Sequence, residues 1–194
     1  QGFEKASEAY EVSDSLFEKI SDTVNPQGIL CTFSIPCSSK IEIKPNGKYI
    51  ALDNIQDPSN LGAISRTAEA FAVDGLIVAG GCDPYSSKSL RASMGAFFRV
   101  NVHSYNSFED YRKIAGKRDF YPFMLKGESL EAYKPEIDTD RPCSLIFGNE
   151  SRGLDDSYLE IGTPLKIEHL NTVDSLNLTI AAGIAMHWQY HTFK

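Results

Sequence analysis

From residue 46 onward, short apolar runs alternate with segments of helical spacing, and this alternation limits the fold more than any other feature of the chain. The apolar runs are Tyr49 to Ile55, Gly75 to Ala79, Arg99 to Ser104, Phe120 to Leu125, Cys143 to Phe147 and Pro164 to Ile167. Helical spacing occupies 61–72, 88–98, 108–117 and 154–161, and a last helix is expected from about Asp174 to His191. Strands separated by helix-length crossovers pair in parallel, and the helices then cover both faces of the sheet. The expected class is α/β, with a mostly parallel sheet flanked by helices.

Upstream, residues 1–24 read as a polar lead and a helix, with Ser13-Asp14-Ser15 at its start and Leu16, Phe17 and Ile20 on one face. Asn25-Pro26-Gln27-Gly28 stops that helix, Ile29 to Ile35 has the composition of a strand, and Pro36 to Gly47 that of a linker. The boundary falls near residue 46, separating a small part, 1–45, from the main domain, 46–194. No run of about 18 apolar residues exists to form a membrane helix. The first residue, Gln1, is not Met and no secretory leader follows it, which predicts a processed or truncated start. Cys31, Cys37, Cys82 and Cys143 lack the spacing of a zinc site, and a chain of 194 residues does not need disulfides to fold. A reduced, cytoplasmic setting is expected.

Ligand sites of parallel sheets lie in the loops after the strands, and three of those loops are rich in Asn, Gly, Glu, Arg and Ser. In the first, Pro58-Ser59 begins a turn, Asn60 is placed to cap a helix that turns Ile64, Ala68 and Phe71 inward, and Arg66 follows on its early turns. Taken alone, such a pair reads more readily as only a cap and a solvated charge than as a site. The second loop, Gly148-Asn149-Glu150-Ser151-Arg152-Gly153, follows a buried strand, and its two glycines let the backbone approach a flat ligand. It is not a P-loop, because Leu154 follows the second glycine where a P-loop has Lys. In the third, Asp174 is the expected N-cap of the last helix, with Ser175 and Asn177 in its first turn; Ala181, Ala182, Gly183 and Ala185 form a small-residue surface for close packing. By itself this segment also reads as an ordinary capped helix.

Together and in this order, the stretches Asn60-Leu61-Gly62-Ala63-Ile64-Ser65-Arg66-Thr67-Ala68, Phe147-Gly148-Asn149-Glu150-Ser151-Arg152-Gly153-Leu154 and Ser175-Leu176-Asn177-Leu178-Thr179-Ile180-Ala181-Ala182-Gly183 resemble the three signature motifs of the SpoU/TrmH-type RNA 2′-O-ribose methyltransferases of the SPOUT superfamily. Asp83-Pro84-Tyr85-Ser86-Ser87-Lys88 leading into Arg91-Ala92-Ser93-Met94-Gly95-Ala96-Phe97-Phe98-Arg99 adds to the likeness, which covers 46–194. Over Ser21 to Leu30 the chain looks like the end of the small RNA-binding domain that often precedes the catalytic domain. The resemblance implies a C-terminal trefoil knot, which general topology rules would not suggest. It implies S-adenosyl-L-methionine as cofactor, held around Gly148, Ile167 and Leu176, with Leu125 and Gly127 as weaker candidates. Asn60, Arg66, Glu150, Ser175 and Asn177 are implied to form the polar catalytic cluster, and all five match the family pattern.

The implied reaction is methyl transfer to a ribose 2′-hydroxyl of structured RNA, ribosomal more than transfer RNA. Arg66 is implied to activate that hydroxyl. It acts either as a base or, because a guanidinium has a pKa above about 12, as a protonated anchor for the 3′ phosphate and the developing alkoxide. The alternative is a non-catalytic RNA-binding or assembly module of the same fold. The family also implies a homodimer through the last helix, with Ile184, His187 and Trp188 as interface candidates. His187 and His191 share a helical face but lack a third metal ligand, so packing or surface roles are expected and no metal. The net charge of −7 argues against RNA only as a total. Residues 86–118 hold seven basic residues, among them Lys88, Arg91 and Arg99, against only Glu109 and Asp110. Those three are the candidate phosphate-binding residues.

Overall fold

The structure, a computed structural model, describes residues 6–35, 42–135, 141–170 and 172–193. The chain divides into two compact units, Gln1–Ile35 and Pro36–Lys194. In the first, helix α1 spans Asp14–Ile20 with Ser13 at its N-cap position, as the sequence leads one to expect, but the Ser13 side chain makes no capping bond and no residue of α1 is buried. Leu16 and Ile20 are about half exposed. Ile29 to Ile35, expected as a strand, forms none: no ladder partner exists for it among the described residues, and without partners for its N–H and C=O groups an apolar segment gains nothing from strand geometry. Half of the expected linker, residues 36–41 with Cys37 among them, lies outside the described residues.

The second unit is a three-layer α/β domain. Its strands are β1 (Lys48–Asp53), β2 (Gly75–Ala79), β3 (Val102–Tyr105), β4 (Asp119–Ser129), β5 (Cys143–Phe147) and β6 (Leu165–Lys166), in sheet order β3-β2-β1-β5-β4-β6. Every pairing is parallel. β1, β2 and β5 lie inside the sheet, which explains their near-continuous apolar sequences; all five residues of β2 and of β5 are buried. Helices α2 (Pro58–Ala70), α3 (Ser87–Ala92) and α5 (Leu178–Thr192) belong to the layer on one face, where Leu61, Ile64, Ala182 and Met186 pack with Ile50, Leu76 and Leu145. Helix α4 (Phe108–Ile114) and a 3-10 helix (Asp156–Glu160) cover the other face through Phe108, Tyr111 and Tyr158, packed on Tyr49, Ile77 and Ile146.

Several boundaries differ from the sequence reading: β3 begins at Val102, β4 runs on to Ser129, and the helix expected over 154–161 is the 3-10 helix at Asp156–Glu160; three more differences fall at helix breaks and caps. The single helix expected over 88–98 breaks into α3 and a 3-10 turn at Ala96–Phe98, because Met94 and Gly95 both take left-handed backbone angles, φ 48° and 85°. The α2 N-cap is Asp57, whose side chain accepts from the Ser59 N–H at 2.9 Å, and not Asn60. Asp57 followed by Pro58 at the first helical position is the stronger start signal. Likewise α5 is capped by Asn177, accepting from the Thr179 N–H at 2.9 Å, so Asp174 and Ser175 fall in the preceding loop.

The basic stretch 86–118 is not one surface. Lys88, Arg91 and Arg99 belong to the α2 side, whereas Arg112 and Lys113 lie on α4, across the sheet, paired with Glu109 and Asp110. Arg118 is buried, donates to the carbonyls of Ala115, Gly47 and Lys44 and sits 4.9 Å over the Tyr49 ring. Its charge is used inside the fold.

Helices α2 and α3 meet where Gly62 faces Ala92; a Cβ at Gly62 would lie 2.5 Å from the Ala92 Cβ and 2.7 Å from the Ser89 carbonyl oxygen. Gly62→Ala is therefore expected to lower stability by about 1–3 kcal/mol, the cost of overpacking, although alanine is the better helix former. Chemical denaturation of the two proteins checks the sign.

Candidate active site

All six strands end at the same edge of the sheet. β1 lies between β2 and β5, and the order of the strands reverses there: the chain runs outward from β1 to β2 and β3, then crosses back to β4 and β5. Ligands of parallel sheets bind outside the carboxyl ends at such a switch point, and the first two motif loops leave β1 and β5 there.

The loop after β5 is closed on itself. Gly153 N–H donates to the Asn149 carbonyl at 2.8 Å, and the Asn149 side-chain oxygen accepts from the N–H groups of Ser151 at 3.0 Å and Arg152 at 3.2 Å. A Cβ at Gly148 would lie 2.3 Å from the Gly153 carbonyl carbon. Glycine at 148 is thus required by the closure of its own loop, a nearer reason than the approach of a ligand. Glu150 then reaches across to the loop after β1, accepting from Gln56 N–H, Asp57 N–H and the Asn60 side-chain amide, each at 3.1 Å. Asn149 donates to the Asn54 carbonyl at 3.0 Å. On the opposite face, Tyr158 donates to the Asp53 carboxylate at 2.8 Å. Burial pushes the Asp53 carboxyl up, and the Tyr158 bond partly offsets that.

Burial also opposes ionisation of Glu150, but the N–H groups of Gln56 and Asp57, its own N–H and the Asn60 amide outweigh it, so the carboxyl titrates below its ordinary value. Asp57 is lowered as well, chiefly by the Ser59 N–H and by Lys88. Both carboxylates are charged at neutral pH.

Behind this clamp lies a cavity of about 420 Å³, within the range of cofactor sites. Its walls come from β4 (Phe123 to Lys126), the β5 loop (Phe147 to Leu154), β6 and its exit (Leu165 to Ile167), the loop before α5 (Asp174 to Leu176) and, on α5, Leu178 and Ala181. Phe123 and Phe147 stack in it at 4.8 Å and 13°. Met124 to Gly127 leave the sheet ladder between Phe123 and Glu128, and a Cβ at Gly127 would lie 2.5 Å from the Leu165 carbonyl carbon. Lys126 spans to Asp156 at the mouth, 2.6 and 2.7 Å from its two carboxylate oxygens.

Of the residues singled out from the sequence, Leu125, Gly148, Ile167 and Leu176 line this cavity, with Glu150 and Ser175. Gly127 does not line it; its lack of a side chain lets β6 pass. Asn60 and Lys88 line an adjoining open cleft with Asp57 and Glu150, and Lys88 pairs with Asp57 at 3.1 Å. Asn177 stands at the head of α5 with its oxygen engaged as the cap. Arg66 is exposed on α2, lines neither space, and has no hydrogen bond or ion pair among the described residues. Arg91 is exposed on α3, while Arg99 is held by Glu69, its second nitrogen at 3.0 Å. The Phe123–Phe147 pair and Asn54 escaped the sequence reading. Phe123 reads there as a strand residue and Phe147 as the first residue of the second motif stretch, with no role of its own, and the left-handed Asn54 has no signature beyond being an Asn that follows a strand.

Fold and site together define a parallel α/β domain with a half-open, largely apolar cofactor-sized cavity beside a polar cleft. Residues 47–187 match the SpoU rRNA Methylase family. An uncharacterised tRNA/rRNA methyltransferase of Synechocystis sp. is 32% identical over 188 residues, covering 92% of this chain and 66% of its own length. The 23S rRNA guanosine 2′-O-methyltransferase RlmP of Bacillus subtilis is 29% identical, covering 95% of this chain and 73% of its own. Among solved structures, an AdoMet-bound rRNA methyltransferase from Sinorhizobium meliloti superposes with a TM-score of 0.75 at 30% identity, covering 94% of this chain and 71% of that one. A Porphyromonas gingivalis protein grouped with the TrmH family of RNA methyltransferases gives 0.79 at 30% identity, over 96% of this chain and 77% of that one. The chain belongs to the SpoU rRNA methylase family.

Because the folded-state value of Glu150 is lowered from 4.5, its stabilising effect is fully present above that pH and is lost as pH falls through the folded value. Glu150→Gln keeps one acceptor oxygen but loses the charge and turns an NH2 toward N–H donors in a half-buried cleft; it is expected to cost about 1–3 kcal/mol at pH 7 and to flatten the acid limb of the stability profile. Urea titrations of both proteins between pH 3 and 7 measure this; an unchanged acid limb would count against the clamp.

Proposed function

We propose that this chain transfers a methyl group from S-adenosyl-L-methionine to a ribose 2′-hydroxyl of structured RNA, leaving S-adenosyl-L-homocysteine and releasing the hydroxyl proton to solvent, with ribosomal RNA the favoured substrate. The observation that carries this reading is the convergence of the β5 loop and the loop before α5 on one cavity, while Glu150 ties that cavity to the loop bearing Asn60. The naming of RlmP, and of a Streptomyces viridochromogenes relative 29% identical over 186 residues, as 23S rRNA 2′-O-methyltransferases supports it.

The cavity fits an adenosine-bearing cofactor: apolar side chains from Leu125, Phe147, Ile167 and Leu176 form a slot, and the backbone around Gly148, Ile167 and Leu176 supplies edge donors and acceptors. Gly127 serves by letting β6 close the floor. When bound, the sulfonium supplies an electrophilic methyl group, and the protein's task is alignment of the reacting atoms. Ser175 and Asn177 orient the ribose hydroxyl, the Asn177 amide nitrogen remaining available beyond the cap. Glu150 holds Asn60 and the start of α2. Arg66 binds the phosphate 3′ to the target and offsets charge developing on the 2′-oxygen; Lys88, Arg91 and Arg99 extend the phosphate track.

Two further expectations belong to this reading. The first is a C-terminal trefoil knot, supported by the tight crossings at Gly127 against Leu165 and at Gly162, where a Cβ would lie 2.0 Å from the Phe120 carbonyl oxygen. The second is a homodimer through α5, supported by the exposure of Ile180, Ile184 and Tyr190. His187 is exposed beside His191, whereas Trp188 turns into the chain's own core against Tyr121 and Phe193. The first unit is assigned to substrate RNA as the end of a small binding domain. A cytoplasmic setting accords with this substrate, and no described helix is long and apolar enough to cross a membrane.

Arg66→Ala is expected to leave cofactor affinity within about threefold and to lower methyl transfer by a factor of 100 or more, as loss of a transition-state contact does. Gly148→Ala should instead abolish cofactor binding. Calorimetry with S-adenosyl-L-methionine and transfer of labelled methyl into RNA separate the two; loss of cofactor binding in Arg66→Ala would contradict the assignment.

A further inference from the structure

Asn54 directly follows β1 in the left-handed backbone region, φ 58°, which residues other than glycine adopt uncommonly and asparagine more often than most. Several contacts hold it there. Its N–H donates to the Ala79 carbonyl at 2.8 Å, its carbonyl accepts from Asn149 at 3.0 Å, and its side-chain oxygen accepts from Gln56 at 2.8 Å. The next residue, Ile55, is fully buried and its carbonyl accepts from Cys82 N–H at 2.8 Å. A Cβ on Gly81 would lie 2.2 Å from that carbonyl oxygen, so no slack exists on the β2 side. Immediately beyond, Gln56 and Asp57 present their N–H groups to Glu150. The turn at Asn54 therefore sets the direction in which the chain leaves β1, and with it the placement of Asp57, Asn60 and the whole of α2. A left-handed, over-determined residue between two motif loops is the kind of strain that surrounding structure maintains for a purpose.

We infer that Asn54 is a positioning residue for methyl transfer: its left-handed backbone, locked by Asn149 of the cofactor-side loop, aims α2 and thereby Asn60 and Arg66 at the substrate. This deepens the methyl-transfer reading above and rests on it. What matters on this account is the backbone angle and not the side chain. Glycine, which adopts φ > 0 freely, replaces Asn54 without loss, whereas alanine and valine, which resist it in that order, pull the loop out of line.

The test is a series, Asn54→Gly, Asn54→Ala and Asn54→Val, with kcat for transfer of labelled methyl into RNA at saturating cofactor, the Kd for S-adenosyl-L-methionine and a thermal melt of each protein. The expected result is kcat within about threefold of the parent for glycine and a fall of roughly tenfold or more for alanine, larger for valine, as small misalignments produce. The cofactor Kd stays within about twofold throughout. Should valine fail to fold, the glycine and alanine pair decides. Glycine as poor as alanine would mean that the Asn54 side chain and not its backbone matters, and parallel loss of cofactor affinity would make the role structural; either overturns the inference. Absence of RNA methylation by the parent protein would instead overturn the reading on which it rests.

Discussion

The Glu150 carboxylate joins the two halves of the sheet where they diverge. β1 and β5 are hydrogen-bonded neighbours, but their loops turn to different tasks: one closes the wall of a cavity, the other starts α2. A charged group with three donors at hydrogen-bond distance is an effective way to hold two loops in a partly dry cleft, because each donor favours the ionised form and the ionised form holds each donor. Both the cavity and the adjoining cleft include Glu150 in their walls.

Around that clamp, the domain is built on close backbone approaches. Gly62 seats α2 on α3, Gly127 lets the β4 segment cross β6, and Gly148 closes the β5 loop; in each case a Cβ would fall 2.5 Å or less from another atom. Such contacts leave the cavity walls little freedom to collapse. Charge is distributed on the same economical lines. Arg118 spends its guanidinium on carbonyls in the core, Arg112, Lys113 and Arg99 are paired locally, and Arg66 stands without a described partner on α2. With 26 acidic residues against 19 basic ones, the surface as a whole repels polyanions, which favours a specific over an indiscriminate RNA contact.

Much of this was legible from the residues. The run Cys143 to Phe147 is apolar throughout because it is buried on both faces, and β2 is legible for the same reason; both strands have the boundaries expected. Helix starts were less so. Asn60 and Asp174 are good caps in isolation, but Asp57-Pro58 and Asn177 compete for the same role, and only the partner of each side chain decides between them. Ile29 to Ile35 shows the opposite failure, since strand composition without a neighbouring strand yields no ladder. The candidate site was legible as a set of motifs and not as a shape. No local signal in Phe123 or Phe147 says that the two rings will stack in a cavity, because that depends on β4 and β5 being adjacent, a fact of topology.

Methyl transfer to a ribose oxygen is the role proposed for the cavity and the cleft together. Methylation of that oxygen removes the nucleophile needed for alkaline cleavage of the adjoining phosphodiester, so the product can be read chemically. The most direct measurement is alkaline digestion of ribosomal RNA after incubation with the protein and methyl-labelled S-adenosyl-L-methionine. Label recovered in an alkali-resistant dinucleotide is the predicted result. Label confined to mononucleotides would mean methylation of a base and would contradict the account, as would the absence of any transfer by protein that binds the cofactor.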